Sequence, residues 1–334
     1  MTRRELLRLG GTALLFSGLT PLTNSLAQTR AAERPRIFFS ESDIPQIRAN
    51  AQSPLLKPLF DSWAAKDPSV LTQAVDKFNE SGEIVRDFMD ALREMDNSAA
   101  VHLVQPSRER VRTLIDAIEK IIARPHWDYF RDGGMEVIGI QRASFATVHL
   151  LLAREILGDA IDGDLDQRLM RAIADKGCLA CYNTVYDMEH PETVKGWDFD
   201  KQHAGFYDIT MDRWPMILGA NNLRAAPTGA LGLGALALRG IDERADHWLE
   251  TAVKSTERFL KLFSADGSYF EGISYLGYSL RTTMPFIQAH TALVGGIDWS
   301  TKVNFDGILD YILYMQFGKK PDGTPDVVNF SDSR

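Results

Sequence analysis

Apolar residues recur at intervals of three and four along most of this chain, and runs of strict alternation are scarce. Val111, Leu114, Ile115, Ile118, Ile121 and Ile122 form one such stripe. Ala245, Trp248, Leu249, Ala252, Val253, Phe259, Leu260 and Phe263 form another. That spacing belongs to helices with one buried face, not to strands. Further helices are expected between Gly139 and Leu157 and between Val303 and Phe317. Near the start, Ser40 followed by Glu41 and Asp43 reads as a helix cap with an acidic first turn. The fold class is therefore all-α. Polar or glycine-containing joints such as Asp266-Gly267 separate the helices, and no strict short repeat is present. Helical hairpins packed in a ring fit better than a regular solenoid. With 334 residues, 45% of them hydrophobic, the chain can bury a sizeable core.

Residues 1–27 stand apart. Arg3-Arg4 precede a short apolar run that ends at Ser25-Leu26-Ala27, the order of a secretory signal and too short to span a bilayer comfortably. With Thr2 before them and Leu6-Leu7 after, the paired arginines resemble a twin-arginine export signal. Cleavage after Ala27 and a periplasmic destination are the expectation. In that oxidising setting Cys178 and Cys181, in GCLAC, read first as a structural pair closing a small disulfide loop. Half a zinc site with His190, or redox chemistry, are the alternatives. A single C-x-x-C supplies only two of four zinc ligands, and no βαβ context surrounds it.

The formal charge of -8 argues against bulk nucleic-acid binding, so an anionic ligand would need a local basic pocket. Gly232-x-Gly234-x-x-Ala237 echoes a dinucleotide fingerprint but follows no strand. Gly229, Gly232, Gly234 and Ala237 instead suit an inner helix that approaches its neighbours closely. That helix is expected to begin near Thr228, six residues after Asn221-Asn222, and two asparagines exceed what one cap needs. A carboxamide is a neutral donor able to hydrogen-bond a substrate carboxylate. Downstream, Tyr269, Phe270, Tyr275 and Tyr278 cluster around Glu271-Gly272. A helix starting near Ile273 would put Tyr275 and Tyr278 on one face, with Arg281 and Thr282 one turn further. His149 and His290 lie in apolar stretches and read as satisfied core residues. His203, in the long irregular segment 178–213, is the functional histidine candidate. No G-x-S-x-G nucleophile elbow is present.

GANNLRAAPTGALGLGALAL, then a helix, then ADGSYFEGISYLGY resembles the toroid domain of heparinase II/III-like polysaccharide lyases, an architecture shared by alginate and oligoalginate lyases. RPRIFFSESDIPQIR and VVNFSDS are similar to its two ends, and the resemblance covers most of residues 35–334. It implies an incomplete (α/α) toroid over residues 35–325. An antiparallel β-sandwich usually follows, and residues 326–334 would be only its beginning. The resemblance further implies β-elimination on a uronic-acid-containing polysaccharide, with no cofactor and no metal. Asn221 or Asn222 matches the family's carboxylate-neutralising residue, where some members carry His, and Tyr275 matches its catalytic tyrosine. The sandwich usually contributes a His and other cleft residues, which this chain would lack.

Arg213, Arg224 and Arg281 are the candidate cations for gripping sugar carboxylates and for favouring a Tyr275 phenolate. Tyr278, His203, Trp214 and Glu271 complete the candidate substrate site, and Trp197 and Trp214 could offer flat faces to sugar rings. The expected partner is an acidic poly- or oligosaccharide, not nucleic acid, with no stable membrane span. Two other readings stay open. One is a toroid glycoside hydrolase using Asp200 or Asp212 with Glu271 as its carboxylate pair. The other is a non-catalytic periplasmic glycan-binding domain.

Overall fold

The computed structural model describes residues 36–200, 214–320 and 325–328. The segment 1–27, expected to be a signal, lies outside the described residues, as does most of 326–334. Helices dominate: α1 (Ile44–Ala51), α2 (Lys57–Ala64), α3 (Ser69–Ser81), α4 (Asp87–Val104), α5 (Arg108–Ala123), α6 (Arg142–Leu157) and α7 (Gly163–Ala172). A π-helical turn, Ile173–Cys178, leads into α8 (Leu179–Glu189). Then come α9 (Trp214–Leu218), α10 (Asn222–Leu238), α11 (Ala245–Leu260), α12 (Ile273–Leu293) and α13 (Phe305–Tyr314). The strands are short. β1 (Phe130–Asp132) lies between β2 (Glu136–Ile138) and β3 (Trp197–Phe199), antiparallel to both, with Phe130 opposite Ile138 and Phe199. β4 (Gln316–Lys319) pairs with β5 (Pro325–Val327). The all-α expectation holds.

Local chemistry explains where several helices begin. The Ser40 N–H donates to the Asp43 carboxylate at 2.8 Å, which opens the first helical turn as its acidic residues suggested. Ser107 caps α5, accepting from the Arg110 N–H at 3.3 Å, and the stripe Leu114, Ile118 and Ile121 is buried. α6 is capped from a distance. Buried Asp128 accepts the backbone N–H groups of Gln141, Arg142 and Ala143 at 3.0, 2.8 and 3.1 Å.

α10 is buried on nearly every face, and its glycines set how near the neighbours come. A methyl group on Gly229 would stand 2.4 Å from the Thr282 carbonyl carbon, and one on Gly232 would stand 2.3 Å from the Phe286 ring. On Gly234 it would meet Cys178 Sγ at 2.2 Å. The Thr282 hydroxyl donates to the Ala225 carbonyl at 3.0 Å. Because 225 meets 282 and 232 meets 286, α10 and α12 run in the same direction. α4 and α6 do likewise, since Arg142 reaches the Val85 carbonyl and His149 meets Asp96.

One boundary differs from the sequence reading. α10 starts at Asn222, not near Thr228, and carries Pro227 inside it. Among the described residues no helix is long and apolar enough to cross a membrane.

Candidate active site

Asn221 is the N-cap of α10, with its Oδ1 accepting the Leu223 N–H at 2.9 Å. Asn222 is the first helical residue and is buried; its own N–H donates to Glu271 Oε2 at 2.6 Å. The Tyr269 hydroxyl donates to the same oxygen at 2.6 Å. Burial, and then the Glu271 carboxylate beside it, push the Tyr269 hydroxyl well above its ordinary range, so it stays protonated and donates. Glu271 stands two residues ahead of α12, so this one buried carboxylate ties the start of α10 to the start of α12. Tyr275 lies in the first turn of α12, half-buried against the cluster of Phe259, Tyr269 and Leu276. Asn221, Asn222, Glu271 and Tyr275 are thus gathered at one end of two parallel helices. That end carries helix N–H groups and the positive ends of both dipoles.

Glu271 is an anchor here rather than a surface carboxylate. Asp200, its suggested hydrolase partner, is held by Arg131 at 2.8 Å just after β3. Arg224 also departs from the sequence reading. It is buried, and its guanidinium donates to the Gly219 carbonyl, to Glu189 and, at 3.2 Å, to Ser255. Burial holds its pKa down to about 10. Its charge is spent inside the protein because its side of the first turn of α10 faces the end of α8 and the middle of α11.

Tyr278 packs edge-on against Phe145, ring centroids 5.3 Å apart, and its Oη is buried without a hydrogen-bond partner among the described residues. Burial pushes this hydroxyl up, against the pull of Arg142. Arg281, three residues further along α12, is lowered by burial and lies within electrostatic reach of Tyr278, Arg93 and Asp96.

His149 is satisfied, as the sequence reading has it, but by a carboxylate that the sequence reading did not name. Its Nδ1 stands 2.6 Å from Asp96 Oδ2, and the two side chains are 19% and 10% exposed. The available signal was Asp96-Asn97-Ser98, three consecutive polar residues, all of them buried, in the middle of α4. His290 is buried between Phe286 and Trp299, as its apolar surroundings suggested, but its Nδ1 has no partner there. Trp197 is no sugar platform. It is fully buried, and its Nε1 donates to Asp187 at 2.7 Å. Trp214 opens α9, half-buried against the main core. His203, Asp212 and Arg213 lie outside the described residues.

Cys178 and Cys181 are both unbridged and buried. Their sulfurs diverge: Cys178 Sγ faces Gly234, whereas Cys181 Sγ lies 3.5 Å from the Ser144 hydroxyl. Among the described residues no group of three or more His, Cys, Asp and Glu is arranged to hold a metal ion. A surface cavity of about 370 Å³ is lined by Phe263–Ala265 and Ser300–Asn304, and neither asparagine is among its lining residues. No protein-family model matches the chain, and no curated protein matches it.

Proposed function

We propose that this chain is the helical toroid of an exported, periplasmic polysaccharide lyase that cleaves a uronic-acid-containing chain by β-elimination. The observation that carries this reading is the bond from the Asn222 N–H to Glu271. It sets the asparagine pair beside the turn that bears Tyr275. The toroid is supported by the same-sense pairing of α4 with α6 and of α10 with α12, with α3 and α5 packed on α4 and α11 packed on α10.

The proton at C5 of a uronic acid is barely acidic while the adjacent carboxylate keeps its full charge. Hydrogen bonds from a carboxamide spread that charge and favour the enolate-like transition state. The cap formed by Asn221 engages only Oδ1, which fixes the group and leaves Nδ2 to donate to a ligand. The Asn222 carboxamide makes no hydrogen bond among the described residues. One such donor is worth about 3–4 kcal/mol in related oxyanion sites. Tyr275 moves the proton, as base, as acid, or as both in succession. A free tyrosine has a pKa of ~10, so a phenolate needs positive charge nearby. The two helix N-termini supply it.

The reading is tested with a panel of uronate polymers, following ultraviolet absorbance from unsaturated sugar ends. Absorbance that appears with the parent and vanishes in Tyr275→Phe is the expected result. New reducing ends without that absorbance would mean hydrolysis and overturn it.

A further inference from the structure

Asp96 on α4 and His149 on α6 meet at 2.6 Å. An ionised carboxylate only accepts hydrogen bonds, so a neutral His149 ring carries its proton on Nδ1 and its lone pair on Nε2. Nε2 has no partner among the described residues, and the side chain is partly open to solvent. Phe145 touches both His149 and Tyr278, with ring centroids at 6.1 and 5.3 Å. Tyr278 Oη is buried and unpartnered among the described residues, a cost that a bound polar group would remove. Arg281 is within electrostatic reach of both Tyr278 and Asp96. Arg142, Asp128 and Tyr129 face Tyr278 as well, and Arg93 faces Arg281.

We propose that Asp96, His149, Tyr278 and Arg281 form a proton-handling centre for an acidic sugar. His149 Nε2 is its base, Asp96 is the positioning residue that fixes the tautomer, and Tyr278 with Arg281 holds the anionic group. The substrate assignment rests on the lyase reading. In the elimination the C5 proton passes to Nε2 and the C5–H electron pair becomes the C4=C5 double bond. The C4–O pair leaves with the oxygen, which takes a proton from the Tyr275 hydroxyl. The imidazolium and phenolate so formed reset when one proton passes from the first to the second through water. Asp96 stabilises the imidazolium while it exists.

The test uses the full chain. His149→Gln is expected to lower kcat by at least about 100-fold with KM within about threefold, as loss of a base requires. Asp96→Asn is expected to lower kcat with KM within about threefold, because the tautomer is no longer fixed. A His149→Gln variant that keeps kcat within about threefold of the parent would overturn the proposal. Nitrogen-15 spectra of the parent's histidine rings form the second arm and need no variant to fold. The expected result is an Nδ1–H tautomer for His149 that shifts on addition of a galacturonate trimer. An Nε2–H tautomer, or a ring indifferent to the trimer, would sink the centre. If no polymer yields unsaturated product but the ring responds to the trimer, the lyase reading fails and the centre stands. Normal turnover with an indifferent ring has the opposite meaning.

Discussion

Asn222 and Glu271, 49 residues apart in the chain, are joined at 2.6 Å by a backbone N–H and a buried carboxylate. The oxygen that receives this bond also receives the Tyr269 hydroxyl. Glu271→Ala would leave both donors buried and unmatched. The expected loss is about 2–4 kcal/mol of unfolding free energy, against about 1 kcal/mol for Glu271→Gln, which keeps an acceptor. Guanidinium unfolding of the two variants checks this, and equal losses would contradict it.

Asn221 is asked to do two jobs, and serine separates them. Serine caps a helix about as well as asparagine but has no carboxamide. Asn221→Ser should therefore hold stability within about 0.5 kcal/mol, whereas Asn221→Ala should lose about 1 kcal/mol. If the Asn221 carboxamide is the one that meets the sugar carboxylate, both variants should lose about 100-fold in kcat. Loss of activity in the alanine variant alone would trace the effect to the helix, not the ligand.

Glycine spacing on α10 predicts a particular non-additivity. Gly229→Ala and Gly232→Ala should each cost about 1–3 kcal/mol or more, with Gly229 the worse because its obstacle is backbone. Gly234→Ala should be rescued in part by Cys178→Ala, which removes the sulfur standing 2.2 Å from the new methyl. Thermal melts of the four-member cycle give the coupling directly, and strict additivity would contradict the contact.

Glu155 binds the chain entry to α6. Its carboxylate accepts from the Ile37, Phe38 and Phe39 N–H groups at 2.7, 3.1 and 3.0 Å. Burial pushes its pKa up to about 7, against the pull of those three donors. A raised acid pKa means the folded state binds the proton more tightly than the unfolded chain. This group's contribution is therefore full below about pH 4.5 and is lost as pH rises towards 7, by about 3 kcal/mol in all. Stability of the parent minus that of Glu155→Gln, measured at pH 4.5 and pH 7.5, should fall between the two. A difference that rises would reverse the assignment.

Burial raises the pKa of both cysteines, that of Cys181 to about 12. The thiolate is the reactive form. The folded chain should therefore be inert to a disulfide reagent at neutral pH and release both thiols only in denaturant. A melting temperature unchanged by reductant is the companion expectation.

Helical periodicity made the surface-facing helices legible, as in the α5 stripe, because one wet face imposes a pattern. α10 has no wet face, so no pattern marks its start, which lies six residues ahead of Thr228 with Pro227 inside the helix. Asn221-Asn222 and Tyr275 stand out in the sequence because they are unusual for their local setting, and they lie at the starts of α10 and α12. The Asp96–His149 pair was not legible, since the two lie 53 residues apart and only the packing of α4 on α6 unites them. Trp197 and Arg224 misled for a related reason. A residue type suited to ligand contact is equally suited to a buried hydrogen bond, and sequence does not show which way it faces.

The near-total burial of α10 bears on how the chain must fold. A helix without a polar face gains nothing by forming alone in water, and its partners come from α6 and α8 before it and α11 and α12 after it. The last of these closes over Gly229 and Gly232. Until it arrives, the most apolar helix in the middle of the sequence has no lasting home, so the halves cannot mature independently. A chain cut after Leu260 should collect as aggregate rather than as a smaller folded protein, and synthesis must run past α12 before the structure becomes cooperative.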